Sequence, residues 1–91
     1  MPPARLFVLE DELHAEWISR WPTFADARAE VERLATVPWD EKPNRCPCIS
    51  WRTCRRRYCI TELDTTRTPW RRVKETFVLD IGSRGVTWHG E

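Results

Sequence analysis

Residues 23–35, TFADARAEVERLA, decide the architecture of this chain. Thr23 offers a hydroxyl suited to capping a helix amino terminus, and Asp26 follows three residues later, a variant of the capping box. Phe24, Ala27, Val31 and Leu34 then recur at helical spacing, with Ala35 widening the apolar stripe. Arg28 and Glu32 stand four apart on the opposite face, where they can pair. Pro38 marks the stop. The spacing predicts one helix over 24–35.

On both sides of this helix the period changes from 3.6 to two. Upstream, Leu6, Phe7, Val8 and Leu9 form a run short enough for a strand. The acidic Glu10, Asp11 and Glu12 then read as a solvated turn. Leu13, Ala15 and Trp17 alternate with His14, Glu16 and Ile18 as a second strand, completing a hairpin. Downstream, Tyr58 and Ile60 alternate with Cys59, Thr61 and Leu63, and residues 65–69 read as a turn. Residues 73–81 alternate over a longer strand, 82–85 form a turn, and Val86 and Trp88 belong to a short last strand. The order is β-β-α-long loop-β-β-β. The economical solution is a single α+β domain over 1–91, its helix packed on a mainly antiparallel sheet of four or five strands. Trp17 and Trp88 fall at core-facing phases of their strands, and Trp21 is placed to pack on the first turn of the helix.

The chain has 91 residues, 41% of them hydrophobic and 32% charged, with three glycines. This composition excludes collagen-like, low-complexity and wholly disordered classes. No apolar run approaches the roughly 20 residues that span a bilayer, and the amino terminus has no signal-peptide pattern. The expectation is a cytoplasmic protein with no membrane partner. Net charge is +1, but it is unevenly distributed. Residues 1–44 carry a net of −4, residues 45–74 a net of +7 and residues 75–91 a net of −2. Thirteen of the 15 basic side chains are arginine, the residue suited to bidentate anion contacts and to stacking on aromatic rings.

Between the helix and the third strand, over about 36–57, periodicity disappears. The loop holds Pro38, Pro43 and Pro47 together with Trp39 and Trp51, and it is longer than a compact domain usually leaves unstructured. Its second half contains CPCISWRTCRRRYC, residues 46–59. Four thiols this close can supply a tetrahedral zinc site, making Cys46, Cys48, Cys54 and Cys59 the candidate ligands and zinc the candidate cofactor. The gaps of one, five and four residues depart from the two-residue gap of familiar zinc knuckles. Unmetallated structural thiols and disulfide chemistry therefore stay open, with reduced thiols expected in a cytoplasmic protein. His14 and His89 lack ligand spacing to the cysteines and read as ordinary surface or edge histidines.

Trp39, Trp51, Arg52, Arg55, Arg56, Arg57, Trp70, Arg71 and Arg72 form the candidate binding residues. Arginine with tryptophan is the composition of a protein interface anchor. It is also that of a surface for RNA or single-stranded DNA, where cations follow the phosphates and aromatics stack on bases. The same arginines could instead pair with the acidic first half of the chain. The P-loop, nucleophile-elbow and dinucleotide patterns are absent, so the reading leans away from an enzyme. The sequence thus leads to a small non-catalytic binding or accessory domain acting through protein–protein contacts. Nucleic-acid binding through residues 51–74, with or without a zinc-stapled loop, is the alternative. A small core and open sheet edges also make a homodimer a candidate assembly.

Overall fold

The computed structural model describes residues 4–90. Its elements are β1 (Arg5–Asp11), β2 (Glu16–Trp21), α1 (Phe24–Leu34), β3 (Arg55–Asp64), β4 (Arg71–Gly82) and β5 (Gly85–Trp88). The five strands form one sheet in the order β2-β1-β3-β4-β5, antiparallel throughout, with α1 against one face. This is the α+β arrangement expected. No helix among the described residues is long and apolar enough to cross a membrane.

The helix forms as its pattern dictates. Asp26 N donates to Thr23 Oγ1 at 3.1 Å, the first half of a capping box, and Ala27, Val31 and Leu34 are completely buried. They meet Leu9 of β1, Tyr58 and Ile60 of β3 and Leu79 and Ile81 of β4, with Trp21 and Trp39 packed at the margin. Phe24, more exposed, closes edge-to-face on Phe7 at 6.3 Å between centroids.

The first hairpin differs from the sequence reading. Its turn lies at 12–15 rather than 10–12, and Glu10 and Asp11 extend β1 instead of forming a solvated charge run. Both are buried, Asp11 completely. Burial is tolerated because each carboxylate meets donors: Glu10 accepts from Thr61 Oγ1 and Arg72, Asp11 from Arg56 and the Arg57 amide. Ala15 closes the turn at a φ of 53°, a left-handed conformation that costs a non-glycine residue about 1–2 kcal/mol. The shift moves Trp17 opposite Glu10, on the face away from α1, where it is 53% exposed. Trp88 is also exposed, on the short edge strand β5, beneath the Arg28 guanidinium at 4.8 Å. Neither tryptophan is a core residue.

The loop between α1 and β3 is tied down by one buried asparagine. Asn44 Nδ2 donates to the carbonyls of Leu34, the last residue of α1, and Val37, both at 2.8 Å. Its Oδ1 accepts from the Tyr58 hydroxyl at 2.7 Å, and its own carbonyl accepts from Arg56 Nε at 3.1 Å. Replacing Tyr58 by Phe strands a buried amide oxygen and should cost about 1–3 kcal/mol in urea unfolding, with the m-value unchanged.

A second prediction concerns acid. The Asp64 carboxylate accepts from the Thr66 hydroxyl and amide and lies 3.3 Å from Arg5, which together draw its pKa down to about 2. A depressed carboxylate stabilises the fold above its unfolded pKa of about 3.9, and that contribution disappears as pH falls toward 2. The stability difference between the native chain and Asp64→Asn should therefore be largest above pH 5 and shrink progressively between pH 4 and pH 2. Denaturant titrations at stepped pH measure it.

Candidate functional site

The four cysteines do not share one place. The strand phase of β3 directs Cys59 away from α1, opposite Glu10 of β1 and Phe77 of β4. There it is buried, which raises its thiol pKa to about 11, and its sulfur lies within 4.8 Å of Glu10 and Glu75 carboxylate oxygens. That group already contains a cation: Arg72 Nη1 donates to Glu75 at 2.7 Å and to Glu10 at 3.3 Å. The Arg72 guanidinium offsets part of the carboxylate charge of that group.

The other three cysteines gather just before β3 begins, with a residue that sequence spacing had set aside. Successive turns double the loop back on itself: Trp51 N donates to the Cys48 carbonyl and Cys54 N to the Ser50 carbonyl. These turns bring Cys48 and Cys54 together. The β1–β2 turn then delivers His14, whose Nε2 lies 3.0 Å from Cys54 Sγ. The His14 nitrogen and the Cys48 and Cys54 sulfurs all fall within 4.8 Å of one another. Cys46, buried beside them, interacts with Cys54 and Cys48; burial and these neighbouring thiols raise its pKa to about 12.

His14 is held from behind. Its Nδ1 meets Asp11 Oδ2 at 2.5 Å, and a carboxylate can only accept, which assigns the ring proton to Nδ1. In the neutral ring the Nε2 lone pair then faces the thiols. Burial works against the charged imidazole, but the bond to Asp11 and the nearby Cys48 outweigh it, and the pKa of His14 is raised. Cys48 behaves in the opposite sense to Cys46: a bond with Ser50, and then Cys54 and His14, outweigh its desolvation and lower its pKa.

Two chemistries are compatible with this arrangement. Cys54, His14 and Asp11 stand in the sequence nucleophile, base, orienting carboxylate. The same atoms, with Cys46 and Cys48, form a sulfur-rich donor set backed by a carboxylate. A nucleophile needs a substrate recess at its sulfur with its base at hand. Cys54 borders a cavity of about 470 Å³ beside the β4–β5 turn, and Cys46 borders one of about 450 Å³ lined by Trp17, Pro43 and Arg56; His14 borders neither.

The candidate binding residues also divide. Arg56 is buried, donating to Asp11 and Glu16. Arg57 pairs with Asp80 at 3.1 Å and Glu12 at 3.6 Å, Arg55 with Asp80 at 3.6 Å, and Arg72 with Glu10 and Glu75. His89 joins Asp80 at 2.9 Å. Trp70 and Arg71 are exposed at the start of β4, away from the loop. A second group is drawn together around Trp51. Its ring lies 5.8 Å from that of Trp39 and carries two guanidinium groups, Arg45 at 4.0 Å and Arg52 at 4.4 Å. Ile49, in the same loop, is fully exposed. Ile49 and Arg45 were not among the residues expected; an isolated isoleucine between two cysteines carries no sequence signal of exposure.

No family model matches this sequence, and no curated protein or solved structure shows significant similarity to it.

The thiol environments predict a reactivity order. In metal-free, reduced protein at pH 7.5, iodoacetamide should label Cys48 well ahead of Cys46 and Cys59. Peptide mass mapping against time reads the order, and equal rates would contradict the environments described.

Proposed function

We propose that this chain is a non-catalytic binding domain that acts through protein contacts made by its long loop, with Ile49, Trp51, Arg45 and Arg52 at the centre of the contact. One observation carries the reading. The arginines of β3, together with Arg72, are committed to carboxylates within the same chain, whereas the loop holds out a fully exposed Ile49 and, two residues on, a tryptophan flanked by two cations.

The internal pairs leave the +7 segment with much less free charge than its composition implies. A polyanion would have to compete with carboxylates already in place. Isoleucine and tryptophan instead supply desolvation energy to a protein recess, about 1.5–3 kcal/mol for burying a side chain of isoleucine size. Stacked arginines lose little further side-chain freedom on contact and favour a rim of carboxylates. The partner that fits is a folded protein with a shallow apolar recess edged by Asp and Glu.

The test places a photo-crosslinking amino acid at Ile49 in the native host. A discrete adduct is expected, and it should be lost when Arg45→Glu and Arg52→Glu are combined. In parallel, fluorescence anisotropy with single-stranded DNA and RNA oligonucleotides should show no saturable binding at physiological ionic strength. Tight oligonucleotide binding that weakens steeply with salt and depends on Arg45, Arg52 and Trp51 would overturn the proposal in favour of nucleic acid.

A further inference from the structure

We propose that His14, Cys46, Cys48 and Cys54 form a structural zinc site, with Asp11 fixing the imidazole from behind through Nδ1. The inference is independent of what the loop binds.

The donor types come first. Three thiols and one imidazole nitrogen are a set that favours a tetrahedral, borderline-soft d¹⁰ ion. In such a site, bonds of about 2.3 Å to sulfur and about 2.0 Å to nitrogen put neighbouring donors about 3.6–3.8 Å apart. Here Nε2 and the sulfurs of Cys48 and Cys54 lie within 4.8 Å of one another, so closure on an ion requires only small side-chain adjustments. Cys46 adjoins Cys54 but stands outside the three donors that lie within 4.8 Å of one another, so its side chain must turn toward the ion to serve as the fourth donor. On binding, the three thiols, and the imidazole Nε2 where it is protonated, release their protons to solvent.

The hold on the imidazole supplies an independent argument. Metal-bound histidines usually donate their other N–H to a carboxylate or carbonyl, which fixes ring and tautomer. Asp11 does this at 2.5 Å, and it is itself immobilised by Arg56 Nη1 at 2.9 Å and the Arg57 amide at 3.1 Å. The cation of Arg56 also lies close enough to Cys46 to offset thiolate charge. Four protein donors complete the coordination shell, so the ion has no open position for substrate and acts as a staple. It would join the β1–β2 turn, the tip of the loop and the entrance to β3.

The experiment uses full-length protein from zinc-supplemented expression, purified under reducing conditions without chelator. Native mass spectrometry and elemental analysis should find one zinc per chain. Cobalt(II) exchange should give intense tetrahedral visible bands together with sulfur-to-cobalt charge transfer. The variants separate this set from four cysteines: Cys59→Ser should keep the metal and the cobalt spectrum, whereas Cys48→Ser, Cys54→Ser and His14→Asn should lose stoichiometric zinc. Far-UV circular dichroism of each variant, with cobalt titration of those that remain folded, separates lost ligation from lost folding. A native chain that stays metal-free in excess zinc, or whose mass shows a disulfide within 46–54 under these conditions, overturns the proposal. So does retention of the spectrum by His14→Asn with its loss in Cys59→Ser.

Discussion

A single buried guanidinium organises the end of the molecule where all the chemistry lies. Arg56 projects from β3 and uses each of its nitrogens: Nη1 for Asp11 of β1 and Glu16 of β2, Nε for the Asn44 carbonyl, Nη2 for the Arg45 carbonyl. It thereby joins three strands and the long loop at one point. The arrangement meets the condition under which a buried charge is tolerable, namely that opposite charge and hydrogen bonds leave nothing unpaired. No buried side-chain nitrogen or oxygen among the described residues lacks a partner. Asp11, neutralised by Arg56, can then orient His14, so the histidine owes its position to an arginine it does not touch.

The separation of charge along the chain has the same explanation. The acidic first segment and the basic middle segment meet in space because β1 lies beside β3. Their charges are spent on one another: Arg5 on Glu62 and Asp64, Arg56 on Asp11 and Glu16, Arg57 on Glu12, Arg72 on Glu10. A cluster that resembles an anion-binding surface in one dimension is, in three, partly the internal complement of the other half. Arg45 and Arg52 of the loop stand outside this pairing and lie on an aromatic ring rather than on a carboxylate.

The order of elements and the helix were legible because local chemistry sets them: a cap, an apolar stripe, a proline and a run of alternation. The hairpin turn was misplaced by two residues because three consecutive acids look like solvent-facing turn residues. Only long-range partners, Arg56, Arg72 and Thr61, make it favourable to bury two of them. The cysteine loop was legible as a concentration of thiols but not as a membership. Period-two alternation already separates Cys59 from the loop thiols once β3 is known to begin at Arg55. His14 is another matter: it reaches Cys54 across 40 residues of sequence, through a turn whose position the sequence conceals. The one local trace is the Asp11–His14 spacing, which lets a strand-end carboxylate meet a turn imidazole.

The topology also bears on how the chain reaches this state. β1 and β3 are adjacent in the middle of the sheet, with Leu9 opposite Ile60, although roughly fifty residues separate them. Closing so long a loop costs chain entropy before any central ladder contact compensates for it. Helix α1 can form early from local interactions, but it has no sheet to cover until β1 and β3 meet. Such non-local pairing places folding toward the slow, millisecond-to-second end of the range for small domains. During that interval the apolar stripe of α1 and the unpaired edges of two strands are open to solvent. For a cell making this protein, the vulnerable species is the partly assembled chain, because its centre is the last part it can build.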